Sequence, residues 1–212
     1  MNLHRPIYLA AIFMCAIAVI GLLRVYDTLP PQAIGVTIVV VTSSILCLYF
    51  CNATFRNRID LIPNADLICW HAIRAPIGAA FLVMAQEQLL PTLFATRAGY
   101  GDIAVAFAGC GVVGLGTIGR KCVIADKRIH LLWNVFGLCD LLIAVGTGLY
   151  LGLSIPNSMD WIARLPLLMV PMFIVPLLLS THVIMLIRLL TNAKPAEVPK
   201  NSEQKEATIH LC

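Results

Sequence analysis

Charged residues are scarce in this sequence. Asp, Glu, Lys and Arg together make up only 12% of its 212 residues, whereas a soluble globular domain carries about a quarter. Hydrophobic residues account for 59% of the chain, and the mean hydropathy is +0.88. This composition argues against a water-soluble fold and predicts an all-α, polytopic membrane protein whose main partner is the lipid bilayer.

Cysteine patterns that would indicate a redox or metal site are also missing. The eight cysteines include no CxxC pair, and six of them fall inside apolar runs. We therefore expect them to pack as small, soft side chains in a reducing compartment, without a disulfide or a bound metal ion. The glycine-rich stretches GCGVVG (109–114) and GLGTIGRK (114–121) lie within an apolar run with no strand before them, so they are not expected to bind phosphate.

Long apolar runs are abundant and predict a bundle of six transmembrane helices. Stretches rich in Pro, Gly, Asn or charge separate these runs. Residues 1–191 are therefore expected to form one transmembrane domain, and the polar segment 192–212 a disordered cytoplasmic tail. The six predicted spans cover approximately residues 6–24, 33–51, 67–88, 102–119, 129–153 and 165–190.

The distribution of basic residues predicts the orientation of the bundle. With the N-terminus inside, the fifteen Lys and Arg divide into eleven on the inner side, three on the outer side, and Arg74 within the membrane. By the positive-inside rule both termini are cytoplasmic, and we expect the protein in a bacterial inner membrane. Because the net charge of +4 follows from this topology, it indicates no nucleic-acid partner.

Polar residues inside the predicted spans mark the candidate site. A charged side chain near the bilayer centre costs at least about 2.5 kcal/mol, so it normally faces a partner or a water-filled cavity. A rise of 1.5 Å per residue places residues of the third, fifth and sixth spans at similar depths in the cytoplasmic half. This predicted polar layer consists of His71, Arg74, Asn134, Asp140 and His182.

The direction of the side chains refines this layer. Because Cβ atoms tilt toward the N-terminus of a helix, Asp140 points down toward Arg74, and His182 points up toward both. Arg74 either pairs with Asp140 or extends to the cytoplasmic headgroups, and His71 is either part of the layer or interfacial. Pro171 and Pro176 are predicted to interrupt the sixth span, and Pro76 follows Arg74, so freed carbonyls favour a cavity here.

The stretch AQEQLLPTLFATRAGYGD (85–102) is too apolar for a plain loop and too broken for a span. We predict a short interfacial segment between the third and fourth spans, with AGYGD as a turn and Asp102 capping the fourth helix. An outer lid over the bundle is the alternative. The candidate residues on this outer face are Glu87, Arg97, Tyr100 and Asp102.

Several functions fit these residues, and we favour binding or transport of a small solute or a proton. In that interpretation Asp140 is the titrating carboxylate, while Arg74 and His182 modulate it or hold an anion. Alternatively the chain is a non-catalytic assembly or accessory subunit, in which Arg74 and Asp140 only join helices and the partner is another membrane subunit or a second copy.

Two further alternatives assign chemistry to the histidines. In a b-type haem protein, His71 and His182 would be the axial ligands, with Arg74 near the propionates. In an intramembrane enzyme acting on a lipidic substrate, Asp140 and His182 would be acid and base. The identity of a cofactor or substrate does not follow from the sequence.

Overall fold

Every regular element in the described part of the chain is helical. The structure is a computed structural model that describes residues 31–117 and 127–191. No strand occurs within those two ranges, so the predicted all-α class is confirmed. The predicted first span, 6–24, and the predicted tail, 192–212, lie outside the described residues.

Seven α-helices follow one another in the two described ranges. A 3₁₀ turn at His71–Ile73 joins α3 to α4, and a π-helical stretch at Val170–Ile174 leads into α7. A second 3₁₀ turn, Asp160–Ala163, lies in the connection between α6 and α7. The α-helices are α1 (Pro31–Cys51), α2 (Ala53–Asp60), α3 (Asn64–Trp70), α4 (Arg74–Gln86), α5 (Thr92–Thr117), α6 (Lys127–Ser154) and α7 (Val175–Thr191).

Within residues 31–117 and 127–191, four helical stretches are long and apolar enough to cross a membrane. They correspond to the second, third, fifth and sixth predicted spans. Their outward faces carry large apolar side chains, of which Leu132 is 71% exposed, as expected for a surface that contacts lipid tails. The fold is thus compatible with an integral membrane protein. The four stretches are Gln32–Cys51, Asn64–Gln86, Lys127–Ser154 and Val170–Thr191.

Helix α5 begins at Thr92, ten residues before the predicted start of the fourth span. The predicted turn at AGYGD is therefore wrong, and only residues 87–91 connect α4 to α5. Asp102 lies inside the helix and caps nothing. Gly99 indicated a turn in the sequence, but it serves helix packing: a Cβ there would lie 2.8 Å from the carbonyl oxygen of Gly78. Close approach of α4 and α5 requires this glycine.

Two of the prolines that were predicted to disturb the helices behave differently: Pro171 does not interrupt its helix, whereas Pro76 lies beside a local change in helix geometry. The last helical stretch starts at Val170, so Pro171 stands in its first turn, where a missing N–H costs little. Its predicted role as an interruption of the span is therefore wrong. Pro76 does coincide with a local change, because the 3₁₀ turn His71–Ile73 lies one turn before it, and the N–H of Arg74 bonds to the carbonyl of His71.

Two clusters of the apolar core mark the two ends of the bundle. One cluster, with Phe81, Phe94 and Leu151, lies toward the end where α6 finishes, which we call the Ser154 end. Another, with Ile68 and Trp133, lies toward the start of α6, the Lys127 end. A group of buried polar side chains lies between these two clusters, where α4 packs on α5, α5 on α6, and α6 on α7.

Candidate functional site

Arg74, the first residue of α4, is buried at the centre of the bundle with 1% of its surface exposed. Its Nε donates to Oδ1 of Asp102 at 2.6 Å, and its Nη2 donates to Oδ2 of Asp140. Its Nη1 donates to the carbonyl oxygen of Gly137 at 3.2 Å. The guanidinium thus joins α4 to α5 and α6, and it does not extend toward either end of the bundle. Of the two roles considered for Arg74, the structure shows the pairing with Asp140.

Asp102 belongs to this site and not to an outer face. It is 6% exposed, and its carboxylate shares the guanidinium of Arg74 with that of Asp140. One positive group therefore faces two negative groups from two other helices, a set we call the Arg74 triad. Glycine makes room for it, since a Cβ on Gly101 would overlap the carboxylate of Asp140. Sequence reasoning missed Asp102 because the same glycine indicated a turn.

His182 and Asn134 form a second polar group beside the triad, and both are fully buried. The amide nitrogen of Asn134 donates to the backbone oxygen of His182 at 3.0 Å, so its amide oxygen faces Nδ1 of His182 at 2.8 Å. That oxygen can only accept, so Nδ1 carries the proton of the ring. Nε2 of His182 is then a bare lone pair, and it has no hydrogen-bond partner among the described residues.

His71 is also fully buried, so its ring lies inside the bundle as part of the polar layer. The hydroxyl of Thr181 donates to the carbonyl of Leu178 at 2.8 Å, and therefore accepts from Nε2 of His71 at 3.1 Å. Nδ1 of His71 is consequently a second bare lone pair without a partner in the described chain. A second proton on either buried ring would find no acceptor among the described residues, so both histidines are neutral.

The two imidazoles, which we call the histidine pair, contact each other. Their ring centroids lie 4.2 Å apart, and Trp133 closes the group with its ring 5.2 Å from that of His71. Axial haem ligands lie on opposite faces of a porphyrin at about 2 Å from the iron, so their centroids would be more than about 6 Å apart. The histidine pair leaves no space for a porphyrin between the rings and does not fit haem.

The remaining outer-face candidates stay at the surface and do not meet the triad. Glu87 lies in the short connection after α4 and is exposed. Nη1 of Arg97 donates to the hydroxyl of Thr147 at 3.3 Å, which joins α5 to α6. Tyr100 is 63% exposed on α5. Of the four candidates, only Asp102 is brought to the predicted polar layer.

A cavity of about 100 Å³ adjoins Asp102 and extends from it toward the Ser154 end. Its walls come from α1, α4, α5, α6 and the stretch that leads into α7. Asp102 is the one charged side chain among the described residues that line it. We call it the Asp102 cavity, and its apolar lining includes Ile38, Phe81, Phe94, Ala144, Gly148 and Val175.

A separate polar cluster near the Lys127 end was not predicted. Arg188, the one charged residue of α7, donates from Nη2 to the carbonyl of Ile59 at 2.6 Å and to Oδ1 of Asp60 at 3.0 Å. The hydroxyl of Tyr49 also donates to Asp60 Oδ1, at 2.9 Å. This cluster attaches the end of α7 to α1 and α2. In the sequence this cluster was indicated by Arg188, a lone arginine in an apolar helix. The prediction of orientation counted Arg188 only as one of the basic residues on the inner side.

Replacing Arg188 by methionine is expected to lower the free energy of unfolding by about 2–3 kcal/mol, because the carboxylate of Asp60 and two backbone carbonyls lose a charged donor. Thermal unfolding of the purified protein in detergent measures this loss. Arg58→Met, at an exposed position of α2, is the control and is expected to change little. Equal effects of the two substitutions would contradict a structural role for the Arg188 cluster.

Comparison with known proteins identifies the family but not an activity. A family model described as a domain of unknown function (DUF8737) matches residues 31–190, and the chain belongs to this family. No curated protein and no solved structure matches the chain. The matched range contains the Arg74 triad, the histidine pair and every residue that lines the Asp102 cavity.

Proposed function

We propose that this family member is a six-span membrane protein with both termini in the cytoplasm, which binds a small solute in the membrane and transports that solute or a proton. The Arg74 triad is the proposed centre of this activity, with Asp140 as the titrating carboxylate. The proposal rests on one observation above all: the triad contains a surplus carboxylate at the wall of a cavity.

The surplus carboxylate favours this function over an assembly role. A guanidinium and one carboxylate suffice to hold two helices together, and a buried pair already contributes little net stability because both groups lose water. A second buried carboxylate adds a further desolvation cost. Ionisable groups kept inside a membrane at such a cost are typical of solute and proton pathways.

The proposed topology follows from the described helices and the basic residues together. Helix α5 has 26 residues, or roughly 39 Å at 1.5 Å per residue, which is enough to cross a hydrocarbon core of about 30 Å. With α5 as the fourth span and residues 6–24 as the first, the count is six. The positive-inside rule then places the Lys127 end in the cytoplasm and opens the Asp102 cavity toward the outer half.

Proton conduction tests the proposal directly. The purified protein is reconstituted into liposomes that enclose a pH-sensitive dye, and a membrane potential is imposed with potassium and valinomycin. We expect the wild type to conduct protons and Asp140→Asn to reduce the rate at least tenfold, because an amide cannot exchange a proton in this range. Asp160→Asn, at an exposed carboxylate, is the matched control and retains the rate. Wild-type vesicles that leak no faster than empty ones would refute proton transport.

A further inference from the structure

The Asp102 cavity adjoins a group of side chains with one more negative than positive charge. Two carboxylates face one guanidinium, and the histidine pair is neutral because a second proton on either buried ring would find no acceptor among the described residues. Helix α1 contributes only apolar residues, such as Ile38, to the cavity wall. Element by element, the titratable or charged groups at the site are His71 of the 3₁₀ turn, Arg74 of α4, Asp102 of α5, Asp140 of α6 and His182 of α7.

An uncompensated charge in such a place is unstable. A carboxylate away from water in an apolar surrounding loses several kcal/mol of hydration, so it either takes up a proton or acquires a counter-ion. The described side chains supply no second cation at the triad. The compensating charge therefore comes from a proton on the triad or from a cation inside the cavity, and each makes the other unnecessary.

We propose that the cavity binds a small apolar ammonium ion, whose charged head contacts Asp102 while its apolar body fills the cavity, and that its binding releases one proton from the Arg74 triad. This inference rests on the proposed function and specifies its solute. The protonated triad takes up one ammonium ion and releases one proton to solution. The complex therefore has the same net charge as the protonated triad.

The size and lining of the cavity select this class of ligand. An engineered apolar cavity of about 150 Å³ holds one benzene molecule, so the Asp102 cavity, at about 100 Å³, admits an apolar body of roughly four non-hydrogen atoms. An anion would meet the surplus negative charge. A divalent metal ion prefers six or more oxygen ligands, and the described cavity wall offers one carboxylate. A neutral molecule would fill the space but leave the charge uncompensated.

Binding is tested with three ligands of similar size: n-butylammonium, 1-butanol and butanoate. Isothermal titration of the detergent-solubilised full chain is expected to show binding of butylammonium in preference to the other two. Lowering the pH is expected to weaken butylammonium binding by up to tenfold per unit in the range where the triad holds its proton, since the two cations compete. Binding of butylammonium that does not depend on pH would overturn the exchange.

Variants separate the charged head from the apolar cavity. Asp102→Asn is expected to weaken butylammonium binding at least tenfold and to leave any binding of 1-butanol unchanged. Ala144→Phe fills the cavity and should abolish both, whereas Ile143→Phe on the lipid-facing side of α6 should change neither. Each variant is first checked for its melting temperature and elution profile. Asp140→Asn removes the same surplus charge and replaces Asp102→Asn in the test if that variant fails to fold.

The outcomes distinguish the ligand class from the function itself. Equal binding of all three ligands, lost in Ala144→Phe, would overturn the ammonium ion but leave a solute site. No binding of any ligand would overturn the proposed occupant, while the proton flux in liposomes still decides the proposed function independently. A free amine and a lipid headgroup share the ammonium chemistry, so titration in nanodiscs with and without phosphatidylethanolamine shows whether the lipid competes.

Discussion

Replacement of Arg74 by methionine is expected to lower the free energy of unfolding by about 4 kcal/mol, the largest loss expected of any single substitution proposed for this chain. Arg74 is 1% exposed and donates to two carboxylates and to the carbonyl of Gly137. Without it, Asp102 and Asp140 face each other as unpaired buried acids, and one or both must take up a proton at a cost to the folded state. Chemical unfolding in mixed micelles measures the change.

Three further variants test the origin of that loss. Arg74→Lys keeps the charge but cannot bond to both carboxylates and the carbonyl with one planar group, so we expect an intermediate loss. The triple variant Arg74→Met, Asp102→Asn, Asp140→Asn removes all three charges and should recover more than half of the stability. Arg58→Met, at an exposed position of α2, is the control. A triple variant as unstable as Arg74→Met alone would show that the loss comes from packing and not from unpaired charge.

The pairing of Arg74 with Asp140 could be predicted because helix geometry converts sequence positions into depths. The two residues lie in different helices. The fixed rise per residue gives their depths, and the tilt of the Cβ atoms directs Asp140 toward Arg74. The same geometry placed His182 near both. Depth is set by local structure alone, so one sequence is sufficient for it.

The position of Asp102 could not be predicted, for a physical reason that its neighbours illustrate. Gly99 and Gly101 flank Tyr100, and a pair of glycines before an aspartate is typical both of a turn and of a crowded helix contact. The sequence does not distinguish these, because the partner that requires the glycine comes from another helix: Gly78 for the first and Asp140 for the second. The interpretation of these glycines as a turn placed Asp102 at the rim of the bundle, whereas the structure places it at the centre.

The lateral distances between helices could not be predicted from the sequence for the same reason. His71 and His182 were predicted at similar depth, which permitted a haem between them as well as direct contact. The observed centroid distance of 4.2 Å decides for contact. It depends on Gly137, where a Cβ would lie 2.5 Å from Cε1 of His182. Gly137 thus lets the imidazole of His182 approach the backbone of α6, although this glycine is uncharged and belongs to no sequence motif.

Glycines of α5 and α6 therefore position the polar site, although they are not themselves polar. Gly101 makes space for the carboxylate of Asp140, and Gly137 does so for the ring of His182 while its carbonyl accepts from Arg74. In a membrane, helix contacts rely on close packing more than on the hydrophobic effect. A methyl group at such a place should consequently disturb the charged groups and not only the packing.

Gly101→Ala is the sharpest test of this view, with an expected loss of about 2–3 kcal/mol in the free energy of unfolding. The added Cβ overlaps the carboxylate of Asp140, which Arg74 holds in place, so either that ion pair breaks or α5 moves away from α6. Alanine otherwise favours a helix over glycine by about 1 kcal/mol, and the sign of the effect therefore separates steric conflict from helix propensity. Unfolding in mixed micelles and proton flux in liposomes are both expected to fall.

The same helix provides the matched control. A Cβ on Gly111 meets no atom of the described residues within 4 Å, so Gly111→Ala should leave stability unchanged or raise it slightly. The double variant Gly101→Ala, Asp140→Ala removes the carboxylate that the new methyl group would strike. If the conflict is with that carboxylate, the double variant will be less destabilised than the sum of the two single variants by about 1 kcal/mol or more. Additive losses would instead place the conflict in the backbone contact of α5 with α6, and Gly101, like Gly99, would then serve helix packing alone.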